Sequence, residues 1–142
     1  MRISDVLARK GSGTVTVAPA TTVPELLAVL AEHRIGAAVV TQDGYTVAGI
    51  VSERDVVRRM HAVGADLLAQ TVGDLMTSQV HACAPGDAVD SVLGVMTERR
   101  VRHLPVLADG SLVGLVSIGD LVKHRIDELQ VERDQLTAYI SG

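Results

Sequence analysis

Phenylalanine and tryptophan do not occur in this chain of 142 residues, and tyrosine occurs only twice. A core must therefore be assembled from Val, Leu, Ile, Ala and Met. A ring-bearing ligand would have to be held by aliphatic side chains and backbone, because stacking partners are nearly missing. Cysteine is just as scarce. Cys83 stands alone, which excludes an intrachain disulfide and a multi-cysteine metal site and fits a reducing cytoplasm. No apolar run approaches the ~18 residues of a membrane span, and the opening MRISDVLARKG is too polar for a secretory leader. Positive charge is not in excess either. Lys and Arg number 13 against 17 Asp and Glu, a net charge of −4, so the chain as a whole repels nucleic acid while leaving room for a small basic phosphate pocket. There is no Gly-x-Gly-x-x-Gly and no Gly-rich Lys-Ser/Thr loop, so a Rossmann or P-loop reading has no support. No Ser/His/Asp or Cys/His set can be assembled, and His33, His61 and His124 lack partners at metal-ligand spacing. The expectation is a soluble cytoplasmic protein that is not an enzyme, with no metal, nucleic-acid or membrane partner.

What is present is written twice. Hydrophobic residues make up 47% of the chain, enough for one compact domain. Residues 19–44 set against 85–110 share Pro19/Pro85, Val23/Val89, Leu27/Leu93, Val29/Val95, Glu32/Glu98, Arg34/Arg100, Val40/Val106 and a closing Asp-Gly. ISDVL at 3–7 is echoed by VGDLM at 72–76, and GIVSERD at 49–55 by GLVSIGD at 114–120. A period of this length marks duplicated structural units. Within each unit, TVTVAP (14–19) or VHACAP (80–85) alternates as a strand does and stops at proline. Val23, Leu26, Leu27 and Leu30, and later Val89, Val92, Leu93 and Met96, then fall at helical spacing. Thr21 or Thr22 caps the first of these helices and Asp87 the second. Two strands follow around Asp43-Gly44 and Asp109-Gly110, strong hairpin signals, and a second helix begins at the Ser of the repeated motif. The pattern predicts an α/β fold of two β-α-β-β-α units, 1–64 and 65–126, packed on each other, with a helical extension over 127–142. Val122, Ile126, Leu129, Leu136 and Ile140 continue an apolar seam into that extension, broken by Arg133. It suits either packing on its own domain or a seam shared with another subunit.

Ser52-x-x-Asp55 and Ser117-x-x-Asp120 admit two readings. One is a capping box, in which the Ser side chain and the Asp side chain each accept from the other residue's backbone N–H. The other is a ligand grip. Free N–H groups at a strand-to-helix junction favour phosphate, a Ser hydroxyl adds a donor, and a carboxylate one turn on suits the vicinal diol of a ribose. The preceding Gly permits close backbone approach.

These residues resemble tandem cystathionine-β-synthase-type domains, the CBS pairs or Bateman modules of stand-alone bacterial type. That family's motif is Gly, two hydrophobics, Ser or Thr, two variable residues, then Asp, matched by Gly49 to Asp55 and by Gly114 to Asp120. RVRHLPV (100–106) is similar to its second-repeat strand start and IGAAVV (35–40) to the first. The resemblance implies a disc of pseudo-twofold symmetry with two clefts that take adenosine compounds: AMP, ADP, ATP, S-adenosylmethionine or NAD(H). It assigns ribose to Asp55 and Asp120 and phosphate to Ser52 and Ser117. Adenine would lie near Val15 to Val17, near Val80, His81 and Ala82, and near Ala37, Leu104 and Pro105. It also implies a homodimer and a separate regulated protein. The clefts should differ, because Arg102 and His103 replace Gly36 and Ala37, and Ile118 and Gly119 replace Glu53 and Arg54. Arg54, Arg102 and His103 are the candidates to neutralise phosphate. Cys83 aligns with Val17 and is expected in the core. The competing reading is an interaction module without a nucleotide, whose Ser-x-x-Asp pairs are caps alone.

Overall fold

The computed structural model describes residues 1–11 and 13–141. The elements run α1 (Ile3–Lys10), β1 (Thr16–Val17), α2 (Val23–His33), β2 (Ala37–Thr41), β3 (Val47–Ser52) and α3 (Glu53–Val63). After a 3-10 turn (Gly64–Ala69) come α4 (Val72–Leu75), α5 (Val89–Arg99), β4 (His103–Ala108), β5 (Ser111–Ser117) and α6 (Ile118–Ser141).

Helix starts follow local chemistry, with one correction. Thr22 caps α2: its hydroxyl accepts from Glu25 N at 3.3 Å, and Glu25 Oε2 accepts from Thr22 N at 3.3 Å. Asp87 does not cap α5. Its carboxylate instead accepts from Ala84 N at 2.9 Å, and the cap position falls to Ala88 without a side-chain bond. The turn after Ala84 therefore takes the acceptor that the helix would have used. Both α2 and α5 end on an arginine in the left-handed region, Arg34 at φ 53° and Arg100 at φ 55°.

The sheets are built as two hairpins. β2 and β3 are antiparallel, and β1 adds to β2 in parallel; β4 and β5 form an antiparallel pair. The strand expected over 80–85 is reduced to a single bridge of Cys83 to Val106, made by Cys83 N to Pro105 O (3.0 Å) and Leu107 N to Cys83 O (2.8 Å). Extending it would need a donor from residue 105 to the carbonyl of His81, and proline has none. Val39 holds the equivalent place in the first copy, and there the pairing runs on to Thr16. The two Asp-Gly turns also differ. Asp109 and Gly110 both take positive φ, 52° and 80°, as a two-residue hairpin turn requires. Around Asp43 the loop is wider, because its carboxylate collects the N–H groups of Tyr45 (2.8 Å) and Thr46 (2.7 Å). Those bonds, that to Thr46 first, hold the Asp43 carboxyl far below the ordinary range.

Two hydrophobic cores result, and each borrows a helix from elsewhere in the chain. Val23, Leu26, Val40 and Val51 pack with Leu67 and with Val72 and Leu75 of α4. Val89, Met96, Leu104 and Val116 pack with Leu121 and with Ile3 and Val6 of α1. Thus α1 completes the second half and α4 the first. This crossing explains the motif glycines. A Cβ on Gly49 would stand 2.7 Å from Thr77 O, in a backbone held by Ile50 N to Thr77 O (3.0 Å) and Thr77 N to Ile50 O (2.9 Å). A Cβ on Gly114 would stand 2.6 Å from a methyl of Leu7. Cys83 lies in the second core, and burial first, then the charge of Asp87, pushes its thiol up to about 11, out of reactive range.

Along α6 only Leu121 and His124 are buried. Arg9 ties α1 to it, donating to His124 Nδ1 at 3.3 Å and pairing with Asp127 at 3.0 Å. From Leu129 to Ser141 every side chain is exposed. The apolar seam is therefore not packed on its own domain.

Candidate functional site

The first cleft, of about 210 Å³, lies between the two halves. Its lining comes from the β3–α3 junction (Ser52, Glu53, Arg54, Asp55, Arg58), the connector (Thr77, Gln79, Val80, His81) and the start of β4 (Arg100 to Leu104). Backbone bonds fix these parts. Glu53 N donates to Gly36 O at 2.9 Å, and Ile118 N donates to Arg102 O at 2.8 Å, so each motif helix starts against the strand of its own half. Ser52 N and Ser52 Oγ donate to Asp55 Oδ2 at 2.8 and 3.0 Å, and Asp55 N donates to Ser52 Oγ at 3.3 Å. The capping box is real, and it also holds the carboxylate at the cleft.

Four arginines, Arg54, Arg58, Arg100 and Arg102, line this cleft together with two acidic residues, Glu53 and Asp55. The balance favours an anion, and arginine forks suit phosphate oxygens. Gly36 keeps the meeting point of Glu53 and His103 open: a Cβ there would lie 3.4 Å from Glu53 Oε1 and 3.8 Å from His103 Cε1. Burial, and then the charge of Lys10, lowers the pKa of His103, with Asp120 and Glu53 pulling the other way. His103 is therefore neutral at pH 7 and offers a hydrogen bond, not a charge, until an anion joins it.

The second cleft divides into two hollows. An apolar one of about 140 Å³ is lined by Leu7, Val15, Ile35, Ala37, Val113 and Leu115, with Thr14 and glycines at its edge. A polar one of about 350 Å³ is lined by Arg9, Asp120, Lys123, His124 and Asp127 beside Val6. Lys10 lines both. Ser117 and Asp120 repeat the box, with Ser117 N to Asp120 Oδ2 at 2.9 Å and Asp120 N to Ser117 Oγ at 3.1 Å. Burial would raise the Asp120 carboxyl. The Lys10 bond and the Ser117 N–H outweigh it and hold it below the ordinary range.

A family model for the CBS domain matches this chain twice, over residues 3–62 and 72–127. The chain belongs to the CBS-domain family. It is similar to the mitochondrial CBS domain-containing protein CBSX3 of Arabidopsis thaliana, at 34% identity over 99% of this chain and 72% of that protein. Among solved structures it is similar to the CBS-domain protein ATU1752 of Agrobacterium tumefaciens, at 42% identity and TM-score 0.84, over 88% of this chain and 99% of that one. The CBS domain pair of protein MJ0100, solved with 5′-methylthioadenosine and S-adenosyl-L-methionine, shares the fold at 19% identity and TM-score 0.80, over 90% of this chain and 98% of that one. CBS pairs are regulatory modules.

The sequence candidates fall unevenly over the CBS pair. Ala37, Ser52, Arg54, Asp55, Val80, His81, Arg102, His103 and Leu104 meet in the first cleft. Val15 and Ala37 line the apolar hollow of the second, and Asp120 the polar one. Ser117 is held to Asp120 without lining either hollow, and Ile118 is exposed. Val17 turns into the first core, Pro105 is buried in β4, and Ala82 points outward beyond both clefts. Arg58 and Arg100 were not singled out by the sequence reading. Arg58 stands three residues after Asp55, on the same helix face, so periodicity could have found it. Arg100 lies at the left-handed cap of α5, and no motif or periodicity in the sequence marks it as a cleft residue. Among the described residues no cluster of His, Cys, Asp and Glu could hold a metal ion, and no helix is long and apolar enough to cross a membrane.

Proposed function

We propose that this CBS pair is a sensor that binds adenine nucleotides in two unequal clefts and signals their occupancy to a separate protein. AMP, ATP and NAD(H) are the candidate ligands. The observation that carries the reading is the first cleft itself: a ribose-suited carboxylate, Asp55, at a helix start, ringed by four arginines suited to phosphate. The aliphatic walls, Val80, Val101 and Leu104, suit a flat base in a chain almost without aromatics. The adenosine ligands of the MJ0100 pair support the same ligand class.

Calorimetry on stripped protein with AMP, ADP, ATP, NAD(H) and S-adenosylmethionine is expected to show saturable binding by at least one of them. Silence from all at millimolar concentration overturns the reading. The affinity of a phosphate-bearing ligand should rise as pH falls from 7.5 to 6. His103 is neutral in the free cleft, whereas a bound phosphate favours its protonated form, so binding takes up a proton. In His103→Asn this pH dependence should flatten.

A homodimer through α6 belongs to the same proposal. Ile126, Leu129, Leu136 and Ile140 are 50, 47, 64 and 82% exposed, an apolar row with no cover in the single chain. Removing residues 129–142, whose described members 129–141 lie in neither core, is expected to halve the mass seen by light scattering. An unchanged mass removes α6 from the interface.

A further inference from the structure

Asp55 and Asp120 hold the same place in the same motif, yet only one of them is tied to a cation. Among the described residues Asp55 is in no ion pair, whereas Lys10 Nζ sits 2.9 Å from Asp120 Oδ2 and also donates to Leu115 O at 2.7 Å. The first cleft has no counterpart of Lys10. Ile3 aligns with Val72 at an offset of 69 and Val15 with His81 at an offset of 66, so the first copy carries three extra residues (69 − 66) between helix and strand. They prolong α1 to Lys10, whereas α4 stops at Leu75. Gly11, at φ 92°, then turns the chain away.

The ammonium therefore stands between the apolar hollow and the carboxylate. A ribose diol that takes both oxygens of Asp120 competes with it for Oδ2, the oxygen it holds. A neutral nucleoside that takes Oδ2 would leave that ammonium without its counter-ion, at the expense of a charge-assisted bond. A ligand carrying phosphate beside the ribose offers it a new partner within the sweep of its flexible stem. We propose that Lys10 is the charge filter of the second cleft: it admits ribosyl ligands that bring their own anionic group and rejects neutral nucleosides. The proposal rests on the adenine-nucleotide reading above.

The experiment is a titration of the full chain, labelled at Leu and Val methyls, with AMP and with adenosine. Leu7 and Leu115 report the second cleft and Val80 and Leu104 the first, so one sample reads both. In the wild type, and in Lys10→Arg, Leu7 and Leu115 should show AMP preferred over adenosine by roughly tenfold or more, the scale of one hydrogen bond to a charged group. In Lys10→Met, which keeps the stem, the preference should shrink to about threefold or less on that same scale, with adenosine gaining affinity. Lys10→Gln gives the same comparison if the Met variant loses its methyl dispersion. An unchanged preference in the neutral variants overturns the filter. So does a second cleft silent to both ligands in every variant while Val80 and Leu104 respond. Silence at both clefts overturns the nucleotide reading and the filter together.

Discussion

Asp55→Asn should weaken nucleotide binding in the first cleft by about 30- to 100-fold while leaving the melting temperature nearly unchanged. The asymmetry comes from the two tasks of one side chain. As the partner of Ser52 in the capping box, Asp55 needs only an oxygen for Ser52 N, now at 2.8 Å, and an asparagine carbonyl supplies one. As a ribose grip it needs a charge, because a bond to a carboxylate is worth about 1.5–3 kcal/mol against about 1 for a neutral pair. Two hydroxyls then lose about 2–3 kcal/mol together. Asp55→Ala should lose binding and also about 1 kcal/mol of stability, because the cap goes with the carboxylate. Calorimetry and thermal melts on the two variants separate the roles. If Asp55→Asn binds like the wild type, the Asp is a cap and the ribose lies elsewhere.

Ile3→Ala should cost about 2–5 kcal/mol of folding stability, a large share of the 5–15 kcal/mol typical of a domain. Ile3 looks like a terminal residue in the sequence and is fully buried in the second core. Its helix is held by Ile3 N to Asp87 O and Ser4 N to Pro85 O, both 2.9 Å, and by Val89 N to Met1 O at 3.1 Å. Truncation leaves a cavity that those bonds prevent from closing, and the unlocked helix loosens Leu7 over Gly114 and Lys10 over Asp120. Urea unfolding should show the midpoint falling with little change in slope. A loss under about 1 kcal/mol would mean that α1 contributes little beyond local structure.

Much of this was legible because the signals are local. Thr22, Ser52 and Ser117 announce helix starts by side chain-to-backbone bonds within one turn. The repeat announces a paired fold. Local signals misled where another backbone group competed for the same side chain or a partner strand lacked a donor. Asp87 was claimed by Ala84, the strand over 80–85 was cut short by the missing N–H of Pro105, and the Asp43 loop widened around its own carboxylate. The echo of α1 in α4 was visible, but its docking was not, because an amphipathic helix of that pattern suits either core. The crossed assignment depends on the Thr77 backbone passing over Gly49 and the Leu7 side chain over Gly114.

The same division holds for the site. By itself the sequence determined two copies of a Ser-x-x-Asp junction, a core and cleft walls that are aliphatic for want of aromatics, and unequal charge between the copies. Only the tertiary structure decided what stands beside each carboxylate. Arg58 and Arg100 gather at the first cleft, and Lys10 lands on Asp120. Lys10 and Asp120 lie 110 residues apart in the chain, and no periodicity or motif links them. Their meeting follows from α1 crossing to the far core and running a turn longer than α4, so the difference between the clefts is set by packing.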